Sequence, residues 1–242
     1  MVTRPRVAAS PLVPRPRAYE QVLDRIEADL AAHRLRVGDR MPSERDLALD
    51  LGISRPAVRE ALRIMEAWGT VVQGTGSGPD AGTVLIASPA SALTRFIRLH
   101  VLLASIGATD LLQARIALER ESTRLAALHA TAQDHELIAT PLTAMDQPGL
   151  DADAFNELDS AFHVAIARAA GNLLVSELTI ALREAMRPRL LASLQAALDL
   201  PGITRRLRAD HHGIYKAICQ GQPQAAADRV EVHINQFYGR VD

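Results

Sequence analysis

Four side chains with metal-binding chemistry are spaced so that helices could bring them together. Asp159 and His163 stand four residues apart in a stretch whose Phe155, Leu158, Phe162 and Ile166 recur at helical spacing, so both polar groups border an apolar stripe. His211 lies 11 residues before Gln222 and His233 lies 11 residues after it, with the helix break Gly221-Gln222-Pro223 between them. In an antiparallel helix pair the two imidazoles would stand at the same height. Three imidazoles and one carboxylate suit a borderline divalent ion, Zn²⁺ foremost and Ni²⁺ or Mn²⁺ next. The competing reading is that His163 and His233 are ordinary satisfied histidines of core or surface. His212 rivals His211, but adjacent residues on a helix differ by about 100° in direction, so only one of them faces inward. His33, His100, His129 and His135 read as surface or packing residues. Hydrolytic chemistry would also need a general base near the ion; there is no HExxH motif, and Glu119 and Glu157 are only loose candidates.

Arg115 and Glu119 form a second i,i+4 pair, on a helix that also carries Leu112, Ile116 and Leu125. Arg115 could grip a small carboxylate by a bidentate contact in a partly buried pocket, or the two could be an ordinary surface pair. A third set is cationic: Arg55, Arg59 and Arg63 recur every fourth residue opposite the apolar Val58, Leu62 and Met65, with Glu60 and Glu66 as the only nearby acids along the segment. A cationic face on a short, capped helix is what a DNA major groove accepts. A solvated arginine face is the plainer alternative.

These sets need elements to position them. Residues 41–66 read as two helices around a Gly52-Ile53 corner, with Ser43 and Ser54 placed as N-caps and Pro56 early in the second helix, where its missing N–H is no loss. An amphipathic helix from Tyr19 to His33, with Val22, Ile26, Ala28 and Leu30 as its apolar face, is a natural third member. After it come two β-branched runs, Thr70–Gln73 and Thr83–Ile86, separated by a glycine-rich tip without Lys or Arg. Three helices followed by a hairpin make a winged helix. Beyond a boundary at Ser88-Pro89 the breaks at Gly107, Thr131, Pro148-Gly149, Gly171-Asn172, Pro201-Gly202 and Gly221–Pro223 divide the chain into helices only, which predicts an antiparallel α-helical bundle. The expected fold is therefore mainly α: a basic, disordered arm over 1–17, a winged helix-turn-helix over 18–87, and an all-helical domain over 88–242.

Composition narrows the function classes. The 242 residues carry a formal net charge of -1, so any DNA-binding surface must be local. Lys216 is the only lysine, so the chain's basic residues are otherwise all arginine. One cysteine, Cys219, excludes an internal disulfide framework and a thiolate metal cluster. No 18-residue apolar run offers a membrane span, and the first 20 residues hold prolines and arginines where a signal peptide needs an apolar core. A cytoplasmic location without membrane contact is the expectation.

The chain resembles the GntR family of bacterial transcription regulators, in its FadR-like subfamily with an all-helical ligand domain of the FCD type. The N-terminal likeness spans residues 19–86 and rests on Gly38-Asp39, Pro42-Ser43-Glu44-Arg45, Leu47-Ala48, Gly52-Ile53-Ser54-Arg55, Val58-Arg59-Glu60-Ala61-Leu62 and the Gly69 turn. The C-terminal likeness spans residues 91–238 and rests on Arg115 and Glu119, Asp159-Ser160-Ala161-Phe162-His163, Gly171-Asn172, and His211 through Gly221 to His233. Met41, Trp68-Gly69-Thr70 and a long wing without basic residues depart from the family's usual pattern. The resemblance implies that Arg45, Arg55 and Arg59, assisted by Ser54, contact operator DNA, with Gly76 or Gly78 of the wing near the minor groove. It implies a divalent ion on Asp159, His163, His211 and His233, and a small organic acid effector met by Arg115, Glu119 and Asn172. It further implies a non-enzymatic homodimer on double-stranded palindromic operator DNA, acting as a repressor. A metal-dependent enzyme acting on a carboxylate, or a bundle that only dimerises, are the alternatives.

Overall fold

The computed structural model describes residues 17–74 and 82–238. Most of the basic arm, and Gly76 and Gly78 of the wing tip, lie outside the described residues. Internal contacts divide the chain into two units that meet between Ala87 and Ser88.

The first unit holds α1 (Ala18–Ala31), α2 (Glu44–Leu51), α3 (Arg55–Ala67), β1 (Val71–Gly74) and β2 (Gly82–Leu85). Ser43 Oγ accepts the Asp46 amide at 3.2 Å and Ser54 Oγ accepts the Ala57 amide at 3.4 Å, so each serine starts its helix as the sequence predicts. Between the two helices Gly52 takes a left-handed conformation, φ 64°, which a side chain would strain. The three helices close over Val22, Ile26, Leu47, Val58, Leu62 and Met65. Two details differ from the sequence reading. In α1 it is Asp29, not Ala28 or Leu30, that turns toward the interior, because Arg25 at 2.9 Å and Arg34 at 2.8 Å neutralise it there. The antiparallel hairpin, in register Val71↔Leu85, also gains residues 38–41 along its β2 edge, where Met41 N donates to Thr83 O and Leu85 N to Asp39 O.

The second unit is built of α4 (Ala90–Leu102), α5 (Ala108–His129), α6 (Ala132–Met145), α7 (Ala152–Arg168), α8 (Leu173–Gln195), α9 (Leu200–Cys219) and α10 (Pro223–Tyr238), with no strand among the described residues. Side-chain caps start several of them: Thr131 with Asp134 as a capping box, Asp151 on the Ala154 amide, Asn172 on the Val175 amide and Asp199 on the Gly202 amide. Helix α5 packs against α7, α8, α9 and α10 and is thus the central staff of the bundle. Phe155, Phe162, Ile166, Ile214, Ile218 and Ile234 are among the side chains that fill the core around it. The buried face of α5 is itself mixed: Leu111, Ala126 and Ala127 share it with Arg115, Glu119, Ser122 and Thr123. No helix among the described residues is long and apolar enough to cross a membrane.

Candidate metal centre and nucleic-acid interface

Asp159 and His163 occupy successive turns of α7, and α9 and α10 fold back on each other through Gly221, φ 60°, so that His211 and His233 come level. One donor atom from each of the four side chains lies within 4.8 Å of the others. The His211 and His233 ring centroids are 4.6 Å apart, and His163 stands 5.2 and 5.3 Å from them. All three imidazoles are buried, His211 fully, whereas His212, its rival, is exposed and pairs with Asp146 at 3.0 Å. Of the four, Asp159 is the most exposed, with 13% of its side-chain surface open to solvent.

The donor set fits a divalent ion. Bonds of about 2.0–2.2 Å put tetrahedral donors about 3.4 Å apart and allow about 4.4 Å only for a trans pair, so the four side chains would close in by roughly an ångström around an ion. His163 Nδ1 lies 2.8 Å from Glu119 Oε2 and His233 Nδ1 lies 3.4 Å from Asp210 Oδ2, which leaves Nε2 of each ring for the centre. His163 Nε2 and both nitrogens of His211 have no hydrogen-bond partner among the described residues; His211 Nε2 approaches Asp159 Oδ1 at 3.2 Å without hydrogen-bond alignment. Burial, reinforced by the Arg183 cation, pushes the proton affinity of His163 down to about 3. Burial likewise brings His211 down to about 4, against the pull of Asp159. Both rings are therefore neutral at pH 7, the form that can ligate a metal.

Behind the donors lies a charged network that the sequence reading only half found. Arg115 Nε donates to Glu119 Oε1 at 2.6 Å, Arg183 Nη1 donates to the same oxygen at 2.7 Å, and Arg183 Nη2 donates to Asp159 Oδ2 at 2.7 Å. Arg183, only 2% exposed, follows Ile180-Ala181-Leu182 in α8 and precedes Glu184 and the buried Ala185-Met186. Burial alone would raise both carboxyls, but Arg115, Arg183 and His163 hold Glu119, and His211 and Arg183 hold Asp159, well below the usual carboxylate range. Two cations thus balance two anions inside the bundle. Glu119 turns to His163 and the arginines. Asn172 is not brought to this cluster: it is exposed, and its side chain caps α8. Beside the cluster a cavity of about 20 Å³ is lined by Arg115, Asn156, Asp159, His233, Phe155 and Phe237 among others.

In the first unit Val58, Ala61, Leu62 and Met65 of α3 are buried, while Arg55, Arg59 and Arg63 are exposed. Ser54 stands at the start of this face; Arg45, on α2, is exposed and 3.6 Å from Asp46. The acid that engages the α3 arginines is not Glu60 or Glu66 but Glu44, from the first turn of α2: it lies 3.0 Å from Arg59 and 3.9 Å from Arg55. Helix–helix packing, not proximity along the chain, brings it there.

Comparison with known proteins agrees with this anatomy. The profile of the FCD domain matches residues 110–236, and that of the gntR family of bacterial regulatory proteins matches residues 18–79. The Glc operon transcriptional activator of Escherichia coli strain K12 is 28% identical over 220 residues, 89% of this chain and 85% of that protein. The transcriptional repressor NanR of Salmonella newport strain SL254 is 28% identical over 229 residues, 91% of this chain and 84% of that protein. Among solved structures, a GntR protein of Streptococcus agalactiae shares the fold, with TM-score 0.58 at 22% identity over 90% of this chain and 98% of that one. With its FCD profile covering more than half of the sequence and its winged helix matching the other, the chain belongs to the GntR family of bacterial transcriptional regulators with an FCD-type C-terminal domain.

Proposed function

We propose that the protein is a FadR-like, ligand-responsive repressor that binds a palindromic operator as a homodimer in the cytoplasm and is released by a small organic acid. A divalent ion, Zn²⁺ foremost and Ni²⁺ or Mn²⁺ next, is held by Asp159, His163, His211 and His233, and the acid binds beside it with Arg115 as its anchor. Arg45, Ser54, Arg55 and Arg59, with Gly76 and Gly78 of the wing, read the DNA. When bound, the ion would supply a positive centre that attracts a carboxylate oxygen.

The observation that carries this reading is the meeting of Arg115 with Asp159 and His233 on one small cavity. The buried arginines and carboxylates already balance, so a divalent ion adds two uncompensated charges, and an anion is the ligand that offsets them. The cavity, about 20 Å³, holds about one water and not an organic acid. Binding must therefore displace wall side chains such as Phe237, and a ligand that stabilises a displaced state shifts the population of the whole bundle toward it. A coupling of about 1–3 kcal/mol would alter operator affinity some 5–150-fold. Relatives of both regulatory signs exist at equal identity, one named an activator and one a repressor, so the sign is decided by a promoter-reporter measurement.

The test is metal analysis by plasma emission on the purified protein and its His163→Ala and His233→Ala variants, followed by DNA titrations of wild type and Arg115→Ala with a panel of hydroxy- and dicarboxylates. Metal content should fall in both histidine variants, and Arg115→Ala should blunt the acid response more than it alters affinity without acid. Less than about one-tenth of an equivalent of metal after reconstitution would remove the ion. A wild type that binds DNA but answers to no acid it binds would leave the bundle a dimerisation module.

A further inference from the structure

We infer that Glu44 is a positioning residue of the DNA-reading face, one that fixes the arginine forks for base contact and disfavours binding to duplex of arbitrary sequence. The inference rests on the reading of α3 as the helix that meets DNA. Its basis is geometric. Glu44 uses both carboxylate oxygens on one arginine: Arg59 Nε donates to Oε1 at 3.3 Å and Arg59 Nη2 to Oε2 at 3.0 Å. Arg55 Nη2 lies 3.9 Å from the same Oε2. A bidentate carboxylate fixes the plane of a guanidinium, which a flexible arginine side chain otherwise leaves free. The Arg59 hydrogen bond, aided by the charges of Arg59, Arg55 and Arg63 and opposed by slight burial, holds the Glu44 carboxyl below its ordinary range, so it is ionised when DNA arrives.

An ionised carboxylate is an odd residue for a surface that approaches phosphates, because it cancels about one unit of the counterion release that drives all sequence-independent binding. Helix capping does not require it: Ser43 caps α2, and Asp46 supplies a second acid in the same first turn. What the carboxylate gains is orientation. On the right sequence the prearranged fork of Arg59 meets base edges without first being ordered, and elsewhere the negative charge remains an uncompensated repulsion. Affinity for unrelated duplex is lowered while affinity for the correct site is kept, and discrimination is the ratio of the two.

The experiment selects binding sites from a random-sequence duplex library with wild type, Glu44→Gln, Glu44→Asp and Arg59→Ala, then measures anisotropy on the selected site and on a scrambled duplex across a salt series. Glu44→Gln should bind the scrambled duplex several-fold more tightly, steepen its log–log salt slope by up to about 1, and narrow the specific-to-scrambled ratio by about ten-fold. Glu44→Asp keeps the charge at shorter reach, so it should keep scrambled binding weak while blurring the selected sequence at the positions lost in Arg59→Ala. A merely structural role would lower all affinities together and leave the selected sequence intact, which would overturn the inference. So would unchanged slopes and ratios in Glu44→Gln alongside a weakened Arg59→Ala, with the DNA-reading helix left standing. If Arg59→Ala also binds as wild type does, both this inference and the reading beneath it fall.

Discussion

Arginines meet carboxylates in both units of this protein, but under opposite conditions. On the first unit Arg55 and Arg59 face Glu44 in the open, where water and salt screen the pairs and the arginine forks, though oriented, stay accessible to an incoming partner. In the bundle Arg115 and Arg183 meet Glu119 and Asp159 almost wholly out of water. There a charge without a partner is costly, so each group fixes the next. The comparison teaches that the same ion pair can orient a group for a partner still to come or close a network on itself, and that burial decides which.

The largest effect expected of any change that breaks this contrast is at Arg183. Arg183→Leu leaves Glu119 and Asp159 short of a buried cation and should lower the unfolding free energy by about 3–5 kcal/mol in urea denaturation. A loss below about 1 kcal/mol would show that the bundle compensates its carboxylates by other means. Acid probes the same network next. His163 and His211, lowered to about 3 and about 4 in the fold, take up protons on unfolding once the pH is below their ordinary 6.5. Stability of the metal-stripped protein should therefore fall from about pH 6.5 downward, by about 2 kcal/mol for each of the two rings between pH 7 and 5. The depressed Glu119 and Asp159 carboxyls continue the decline at lower pH. A denaturation midpoint that stays level over that range would contradict neutral buried imidazoles.

The open pairs should behave otherwise. Arg55→Ala or Arg59→Ala should weaken operator binding about ten-fold or more in anisotropy titrations while leaving the urea midpoint where it was. Binding should also fall steeply with added salt, although the net charge of the chain is only -1, because the relevant charge is local. The smallest effect belongs to Arg124, which pairs with Glu121 three residues before it on α5, both half-exposed. Arg124→Ala should change neither the melting midpoint nor DNA binding, and a clear shift in either would mean that burial is not what separates the two kinds of pair.

Local signals made much of this legible in the sequence. Capping serines, the Gly52 corner and helical periodicity are written within a few residues of one another, and they locate the helix-turn-helix. Asp159, His163, His211 and His233 could be grouped because an i,i+4 step and a symmetric hairpin are simple arithmetic. Arg115 and Glu119 could be paired by spacing, but not their neighbours, since those depend on how helices are rotated against each other. Arg183 gave no signal: next to Glu184 and one turn before Arg187, it reads equally as part of a solvated face. Glu44 and the residues 38–41 beside β2 were missed for the same reason, because their partners are distant in sequence and brought near only by packing. Asp29 reversed an expectation, since two arginines from either side along the chain made its burial tolerable.

The depth of the histidine cluster also has a bearing on time. His211 has no exposed surface, and His163 and His233 are 3% exposed, so an ion held among them could leave only when the side chains and helices that wall the cluster move apart. Such openings draw on the cooperative stability of the bundle and are rare beside the thermal motion of a surface side chain. Exchange would then be governed by opening and not by the strength of any one bond. Over the minutes in which a cell's acids rise and fall, the ion would count as part of the protein's fixed inventory, and the anion alone would carry news.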